Sequence, residues 1–367
     1  MSRRIDRLRP VLLLRGLRAR REQPDLAGLA AETDPQAFVW QILPHAARSF
    51  ATSIVVLPKA HALAAAVAYL YCRMLDTYED LLPSKTARPE ALRLFARRFE
   101  LDPIPAASPI DDTLARDERD LLGLLLVNRC HLVDEVLDTL PVATRESIAR
   151  LVSSMAEGMA QSVDTFERQG GVLIDAEQVA QYSHHVIGNP ALFVLTLLSE
   201  GTPTPAQEGD ALMVSEMIQL ANITRDIEKD LHRGVGYHHT LKPFLNATGD
   251  ATQRREVVRR VREEYLGHAL AAVPAYRRLF DGSSARLTPG TRMAAVLMML
   301  HTDQHYQRCA VMTGHETWGR RRGKVRTTAA ALPALLSVAG ARRTLLRIEN
   351  DFLEAAARQR ARAGAAT

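Results

Sequence analysis

The sequence is poor in aromatic residues and cysteine, and it lacks the common nucleotide-binding motifs. Aromatic side chains make up 5% of the 367 residues, and the 3 cysteines are Cys72, Cys130 and Cys309. An odd number of scattered cysteines forms no disulfide framework, so we expect small buried thiols in a reducing compartment. No Gly-rich dinucleotide fingerprint, P-loop or zinc-finger spacing occurs, and nucleic acid is therefore not an expected partner.

Long apolar runs and strand patterns are missing as well. No stretch reaches the roughly 18–20 apolar residues that a membrane-spanning helix needs, and no period-two alternation occurs. Apolar residues still make up 47% of the chain, as in an ordinary globular protein. The pattern predicts one all-α domain with helices near 36–50, 59–80, 88–101, 112–140, 144–168, 175–200, 207–232, 251–280, 288–313 and 328–362. We expect a basic arm over 1–35, the main domain over 36–335, and a C-terminal helix and tail over 336–367.

Positive charge is concentrated at the N-terminus. The chain has a formal net charge of +5 and a pI near 9.3, and much of the excess lies in the segment SRRIDRLRPVLLLRGLRARR. This balance suits acidic partners such as diphosphates and anionic lipid headgroups. The segment fits a solvated tail, and it also fits a peripheral contact with the inner face of a membrane. A cytoplasmic location is expected in either case.

The stretch from Ala60 to Asp80 is an apolar helix pattern that ends in acids. It contains no Gly or Pro, and its many Ala and Leu residues favour helix. On a helix, residues spaced four, three and four apart share one stripe, namely Tyr69, Arg73, Asp76 and Asp80, with Glu79 beside them. Carboxylates this close repel one another unless cations lie between them, and Mg²⁺ or Mn²⁺ prefers oxygen ligands such as carboxylates and phosphates. The stretch is therefore either a metal-assisted diphosphate site or a solvated helix end.

A second acidic stripe lies between Glu216 and Asp230. On a helix, residues at steps of three, four and four share one face, namely Gln219, Asn222, Asp226 and Asp230. Arg225 and Lys229 flank this face. Taken alone, the stripe also fits a solvated charged surface. Taken with the first stripe, it predicts a facing partner, and two or three Mg²⁺ ions held between the two helix ends could grip a diphosphate.

Four segments resemble the squalene and phytoene synthase family in sequence, order and spacing. They are Arg-Ser-Phe-Ala at 48–51, AYLYCRMLDTYED at 68–80, QYSHHVIG at 181–188 and QLANITRDIEKDLHRG at 219–234. The resemblance covers roughly residues 37–330. The form Asp-Thr-x-Glu-Asp at 76–80 is more like that of squalene synthases.

The resemblance implies an all-α isoprenoid synthase fold, a single domain whose helices surround a central apolar cavity. It implies Mg²⁺-dependent head-to-head condensation of two allylic isoprenyl diphosphates. The implied metal ligands are Asp76, Glu79, Asp80, Asn222, Asp226 and Asp230. The implied substrate-binding residues are Arg48, Ser49, Phe50, Tyr69, Arg73, Gln219 and Arg225. Tyr182 matches the tyrosine thought to assist the cationic step, so the implied catalytic residues are Tyr182, Asp76, Asp80 and Asp226.

Several positions depart from the family pattern. Lys229 replaces a glutamate of the second acidic motif, although Glu228 is adjacent. His185, Ile187 and Asn189 differ from the family pattern in and just after the segment 181–188, and these differences could reshape the cavity. A basic cluster at 320–324 lies where squalene synthases have a loop near the nicotinamide. Its members Arg321 and Lys324 could contact NADPH phosphates, or the cluster could be a solvated loop.

Three functional interpretations follow. The first is a squalene synthase that uses two farnesyl diphosphates and NADPH. The second is an enzyme of the same fold that makes dehydrosqualene, phytoene or a cyclic terpene. The third is a non-catalytic binding or assembly protein that keeps the fold; the intact acidic stripes and Tyr182 argue against it, and Lys229 is its best support.

Overall fold

The chain folds into helices. The computed structural model describes residues 23–82, 87–199, 202–283, 287–312 and 324–365, and within these ranges no strand occurs. An isolated bridge joins Val172 to Gly236. The chain divides into two compact units, residues 1–164 and 165–367.

Aspartate caps start several helices of the first unit. The side chain of Asp34 accepts a hydrogen bond from the Ala37 amide, and Pro35 occupies the first helical position, where its missing N–H costs nothing. Asp117 caps in the same way, accepting from Asp120. The α-helices of this unit, the last of which continues past its end, are Leu26–Ala31, Pro35–Ala47, Ser49–Val55, Lys59–Leu81, Ala87–Arg97, Glu118–Asn128, Cys130–Asp138 and Val142–Arg168.

The helix Lys59–Leu81, which we call the first acidic helix, lies at the centre of its unit. It packs against Pro35–Ala47, Ala87–Arg97 and Glu118–Asn128. Most of its alanines and of its Leu, Met and Tyr side chains are buried, and this buried apolar area stabilises the unit. The phenol of Tyr71 donates to Asp134 at 2.8 Å within this core. The middle of the helix is mostly buried, whereas its first two residues are exposed and the acids at its end are partly open to solvent.

The second unit is built around the helix Pro205–His232, which we call the second acidic helix. Thr204 and Gln207 form a reciprocal capping box at its start, so two orphan donors are satisfied. It packs along Ala251–Ser283. The α-helices that begin in this unit are Ala176–Ser183, Asn189–Leu198, Pro205–His232, Ala251–Ser283, Pro289–Met312, Lys324–Ala331, Pro333–Leu336 and Val338–Ala365.

Four of the predicted helices are interrupted in the structure, one of them, 36–50, at Arg48. The predicted helix 112–140 breaks at Arg129, whose guanidinium turns away to donate to the carbonyl oxygens of Ala30 and Glu32. The predicted helix 175–200 contains a π segment at His184–Gly188. The predicted helix 328–362 breaks near Pro333, because a proline inside a helix removes a hydrogen bond and clashes with the preceding turn.

Two expectations about single features can be compared with the structure. All three cysteines are buried and free, as expected. No described helix is both long and apolar enough to cross a membrane. Of the basic arm over 1–35, residues 1–22 lie outside the described part of the chain.

Candidate functional site

The first acidic helix ends in a partly exposed cluster of charges. Arg73 donates to a carboxylate oxygen of Asp76 at 3.2 Å. Burial, with the charges of Asp80 and Asp76, raises the pKa of Glu79 to about 8. Burial also raises the pKa of Asp76, although Arg73 opposes it. Nearby arginines oppose both shifts without cancelling them, which favours a further cation.

Aromatic rings line the same helix one turn earlier. The Tyr69 phenol donates to the carbonyl oxygen of Ala46 at 3.4 Å, and burial raises its pKa to about 12. The ring centroid of Phe50 lies 6.0 Å from that of Tyr69. The structure thus brings together two side chains that were predicted to face the substrate.

Arg48 lies at a sharp break between two helices. Its φ of +50° is unusual for a residue with a side chain, and its amide donates to Pro44 at 3.2 Å. The break separates Pro35–Ala47 from Ser49–Val55 and leaves the Arg48 side chain exposed. A strained backbone of this kind is often found at functional sites. The predicted helix 36–50 therefore ends at Ala47, and Ser49 begins the next helix.

Arg119 is a charged neighbour that no sequence motif indicated. It is the second residue of the helix Glu118–Asn128. Burial and the positive charges of Arg73 and Arg48 lower its pKa, whereas Asp80 opposes the shift. Arg119 therefore lies in electrostatic range of two further guanidinium groups, an arrangement suited to a polyanion.

The second acidic helix carries its own paired charges. Arg225 forms a forked contact with the adjacent Asp226, and its Nε lies 2.9 Å from one carboxylate oxygen. One turn earlier, the amide of Asn222 donates to Gln219 at 3.3 Å. Asp230 follows one turn later and is partly exposed. Four predicted residues of the second stripe thus lie on consecutive turns of one helix.

Glu228 does not replace the glutamate that is missing at position 229. Its carboxylate pairs with the buried guanidinium of Arg262, which also donates to the Thr224 carbonyl oxygen at 2.8 Å. This contact fixes Glu228 on the side of the helix that packs against Ala251–Ser283. Lys229 is exposed. The oxygen donors of this stripe are therefore Asn222, Asp226 and Asp230.

Tyr182 lies in an aromatic cluster of the second unit. Its ring centroid is 5.9 Å from Phe166 in an edge-on arrangement and 5.3 Å from Tyr237. The Tyr237 phenol donates to the Tyr182 oxygen at 3.4 Å. Tyr182 is buried, so its hydroxyl has a fixed environment. Neither Phe166 nor Tyr237 was singled out as a site residue from the sequence.

The π segment His184–Gly188 follows Tyr182 directly. His184 Nε2 lies 2.7 Å from a carboxylate oxygen of Glu216 on the second acidic helix. A Cβ placed at Gly188 would lie 3.0 Å from Leu212, so this glycine permits a close approach to that helix. Single π turns are common at functional sites. The contact of His184 and the close approach at Gly188 hold this segment against the second acidic helix.

His305 is a further neighbour that the sequence did not indicate. Burial and the charge of Arg225 lower its pKa to about 3, while Asp226 acts in the opposite direction. It lies on the helix Pro289–Met312 and is neutral at pH 7. No spacing rule connects position 305 with position 226, which explains why the sequence pattern missed it.

The donor atoms of both stripes suit Mg²⁺. Among the described residues, no group of three His, Cys, Asp or Glu side chains is close enough to hold a metal ion. Each stripe offers carboxylate or amide oxygens, and the crowded acids near Glu79 favour a cation. Mg²⁺ usually takes one or two carboxylates and completes its shell with water and substrate phosphates. The residues therefore fit a metal that arrives with a diphosphate.

The predicted NADPH contacts cannot be placed. Arg321 lies outside the described residues, and Lys324 begins the helix Lys324–Ala331 without a described side chain.

Comparison with known sequences identifies one family. The sequence model described as Squalene/phytoene synthase matches residues 43–322. The Presqualene diphosphate synthase of Botryococcus braunii is 24% identical over 201 residues, which is 54% of this chain. The match spans 46% of that relative's own length.

Solved structures show the same fold. TcSQS in complex with the ligand BPH1237 has a TM-score of 0.59 at 19% identity, over 89% of this chain and 100% of that chain. A dehydrosqualene synthase in complex with a ligand has a TM-score of 0.51 at 19% identity, over 82% of this chain and 95% of that chain. At this identity the likeness concerns the fold, which is that of the isoprenoid synthases.

Proposed function

The chain belongs to the squalene/phytoene synthase family, whose reaction is head-to-head prenyl condensation, and on that premise we propose its substrates and product. Two molecules of farnesyl diphosphate condense to a cyclopropylcarbinyl diphosphate, which is then reduced to squalene with NADPH. The observation that supports the proposal is that each acidic helix carries a stripe of carboxylates with an arginine paired to one of them. The pairs are Arg73 with Asp76 and Arg225 with Asp226.

The charges around the first stripe support binding of a diphosphate. The positive charges of Arg73 and Arg48 both act on Arg119 and lower its pKa. A guanidinium stays charged and matches phosphate oxygens with its planar fork. Mg²⁺ would neutralise charge that develops on the departing diphosphate. The residues that would hold it are Asp76, Glu79 and Asp80 on the first stripe and Asn222, Asp226 and Asp230 on the second.

The aromatic and apolar residues support the cationic part of the reaction. Loss of diphosphate leaves an allylic cation at C1 of one substrate, and the double bond of the second substrate attacks that carbon. Loss of a proton then closes the cyclopropane ring, so the products are a C30 diphosphate, inorganic diphosphate and a proton. Aromatic faces such as those of Phe50 and Tyr69 stabilise cations, and exclusion of water prevents their capture.

Tyr182 is the residue that we propose for the proton step. Its oxygen accepts a hydrogen bond from Tyr237, which orients the phenol within a buried aromatic cluster. A free phenol is a poor base, with a pKa of about 10. The departing diphosphate is therefore the final acceptor of the proton. Tyr182 either directs the proton towards the diphosphate or stabilises the cation.

A second candidate function is favoured by one comparison. The curated relative from Botryococcus braunii is a presqualene diphosphate synthase. This chain could share that end point and release the cyclopropylcarbinyl diphosphate without reducing it. The proposed NADPH contacts do not favour either candidate.

Product analysis with and without NADPH separates the two candidates. Purified protein is incubated with farnesyl diphosphate and Mg²⁺, and C30 products are measured by mass spectrometry. We expect squalene with NADPH, and cyclopropylcarbinyl diphosphate or dehydrosqualene without it. If the product is the cyclopropylcarbinyl diphosphate in both samples, the second candidate replaces the first. Geranylgeranyl diphosphate is the matched C20 substrate. If the protein uses it in preference to farnesyl diphosphate, both candidate functions are rejected.

A further inference from the structure

His238 makes polar contacts through both nitrogen atoms of its ring. Its Nδ1 accepts a hydrogen bond from the Thr240 amide at 3.3 Å and lies 2.7 Å from the Thr240 hydroxyl oxygen. Its Nε2 lies 3.4 Å from a carboxylate oxygen of Glu264, on the helix Ala251–Ser283. Because an amide N–H can only donate, Nδ1 carries the lone pair. The proton of the neutral ring is therefore on Nε2, beside the carboxylate.

The surroundings of His238 favour this neutral ring. Its side chain is 15% exposed, and burial is the main cause that lowers its pKa below the ordinary value. Glu264 opposes the shift of the pKa, whereas His239 and His268 add to it. The ring of His239 lies against that of His238, with 4.3 Å between the centroids and 30° between the planes. Since an unperturbed histidine titrates at about pH 6.5, a ring with a lowered pKa is mostly neutral at pH 7, and only the neutral ring can accept from Thr240.

Tyr237, which precedes His238, is held from two sides. The phenol of Tyr265, the residue after Glu264, donates to the Tyr237 carbonyl oxygen. Before Tyr237, the carbonyl oxygen of Gly236 accepts from the Leu173 amide at 2.9 Å. Two adjacent residues of the helix therefore hold two adjacent residues of this segment.

We propose that His238 is a positioning residue for Tyr182. Its two contacts fix the backbone next to Tyr237, whose phenol donates to the Tyr182 oxygen at 3.4 Å. The centroids of the two tyrosine rings lie 5.3 Å apart. A displacement of about 1 Å at a reacting group can lower a rate about a hundredfold, so a firmly held Tyr237 matters for the proton step. The inference rests on the role proposed above for Tyr182, and His238 acts through Tyr237 rather than on the substrate.

A capping role without any effect on Tyr182 is the structural alternative. His238 precedes the 3₁₀ segment His239–Ala247, and its side chain caps that segment through Thr240. In that case the loss of His238 would lower the temperature of unfolding and leave turnover unchanged. The contact with Glu264 is not part of the cap, and together with the bond from Tyr265 it holds the segment to the neighbouring helix.

Steady-state kinetics of the full chain test the positioning role. His238→Ala removes both contacts, and we expect kcat for the C30 diphosphate to fall about tenfold because Tyr182 loses its fixed position. The KM for farnesyl diphosphate should stay nearly unchanged, since no substrate contact is removed. His238→Asn keeps an oxygen that accepts from Thr240 and an amide that donates to Glu264, so it should restore most of kcat. His131→Asn, at an exposed position of the first unit, is the matched control and should leave kcat unchanged.

NMR of the tyrosine rings gives a readout that does not depend on turnover. The chain is labelled with ¹³C at the phenol carbon of tyrosine, and the signals are assigned with Tyr182→Phe and Tyr237→Phe. We expect the signals of Tyr182 and Tyr237 to shift in His238→Ala and to stay in place in His238→Asn and His131→Asn. Glu264→Ala, at an exposed position, removes only the contact at Nε2. It should shift the Tyr182 signal in the same direction and lower kcat by a smaller factor, and it provides the test if His238→Ala does not fold.

Two results would overturn the proposal. One is a lower temperature of unfolding in His238→Ala with kcat and the Tyr182 signal unchanged, which would leave His238 with a capping role. The other is a raised KM with an unchanged Tyr182 signal, which would place His238 at the substrate. If the unchanged chain forms no C30 diphosphate, the proposed function fails, and the Tyr182 signal alone then decides whether His238 positions this residue.

Discussion

At the scale of single residues, one negative charge in each stripe is expected to decide whether a diphosphate binds productively. Asp76→Asn and Asp226→Asn remove a metal-binding charge and leave the shape nearly unchanged. We expect each to lower turnover about a hundredfold or more, because charge stabilisation at the reacting centre is lost. Asp164→Asn, at an exposed position, is the matched control and should leave turnover unchanged. Full activity of either stripe variant would reject that stripe as a metal site, provided that all variants unfold at the same temperature.

Arg119 offers a second test at this scale, because only the folded structure indicates it. Arg119→Ala removes one of three clustered cations, so we expect a higher KM for the allylic diphosphate and weaker inhibition by inorganic diphosphate. Arg119→Lys keeps the charge without the fork and should retain part of the binding. Arg150→Ala controls for the loss of an exposed arginine. If inhibition by inorganic diphosphate is the same in Arg119→Ala and in the control, Arg119 does not contact the diphosphate.

Sequence spacing predicted the residues that share a helix and missed those that meet through tertiary contacts. The turn spacing of Arg73 and Asp76, and of Asn222 and Asp226, follows from helix periodicity alone. Arg119 and His305 come from helices without a chemical motif, and only packing brings them near charged neighbours. The roles assigned to the predicted residues stay predictions.

At the scale of elements, the helices were predictable where apolar periodicity was uninterrupted. The first acidic helix was predicted at 59–80 and spans Lys59–Leu81, since nothing in its sequence breaks a helix. The break at Arg129 was not predictable, because it coincides with a tertiary contact in which this side chain donates to two carbonyl oxygens nearly a hundred positions away. The π segment at His184–Gly188 could not be predicted either, because no residue type specifies an extra residue in a helical turn.

Gly123 provides the test at this scale, because it lets two helices of the first unit approach closely. A Cβ at this position would lie 2.7 Å from the Thr77 hydroxyl oxygen, and that hydroxyl donates to the Arg73 carbonyl within the first acidic helix. We expect Gly123→Ala to lower the free energy of unfolding by about 1–3 kcal/mol through overpacking. Gly209→Ala is the control, since nothing lies within 4 Å of the added Cβ, and it should stabilise by about 0.5–1 kcal/mol. Equal effects of both changes on thermal unfolding would show that the helices do not need the glycine.

At the scale of the whole molecule, composition and motif order predicted the fold class. The all-α isoprenoid synthase fold is confirmed by the helical structure and by its likeness to solved structures. The division into an arm, a main domain and a C-terminal helix stays a prediction, as does a single cavity lined by both stripes.

The most direct measurement of the central claim follows the carbon and phosphate balance of the first reaction. The full chain is incubated with farnesyl diphosphate and Mg²⁺ in the absence of NADPH, and inorganic diphosphate and C30 diphosphate are quantified together. Head-to-head condensation predicts equal amounts of the two early in the reaction, and loss of both in EDTA with recovery when Mg²⁺ is restored. Equal product formation in EDTA would contradict condensation by metal-assisted acidic stripes, and recovery of farnesyl diphosphate unchanged would contradict its use as the substrate.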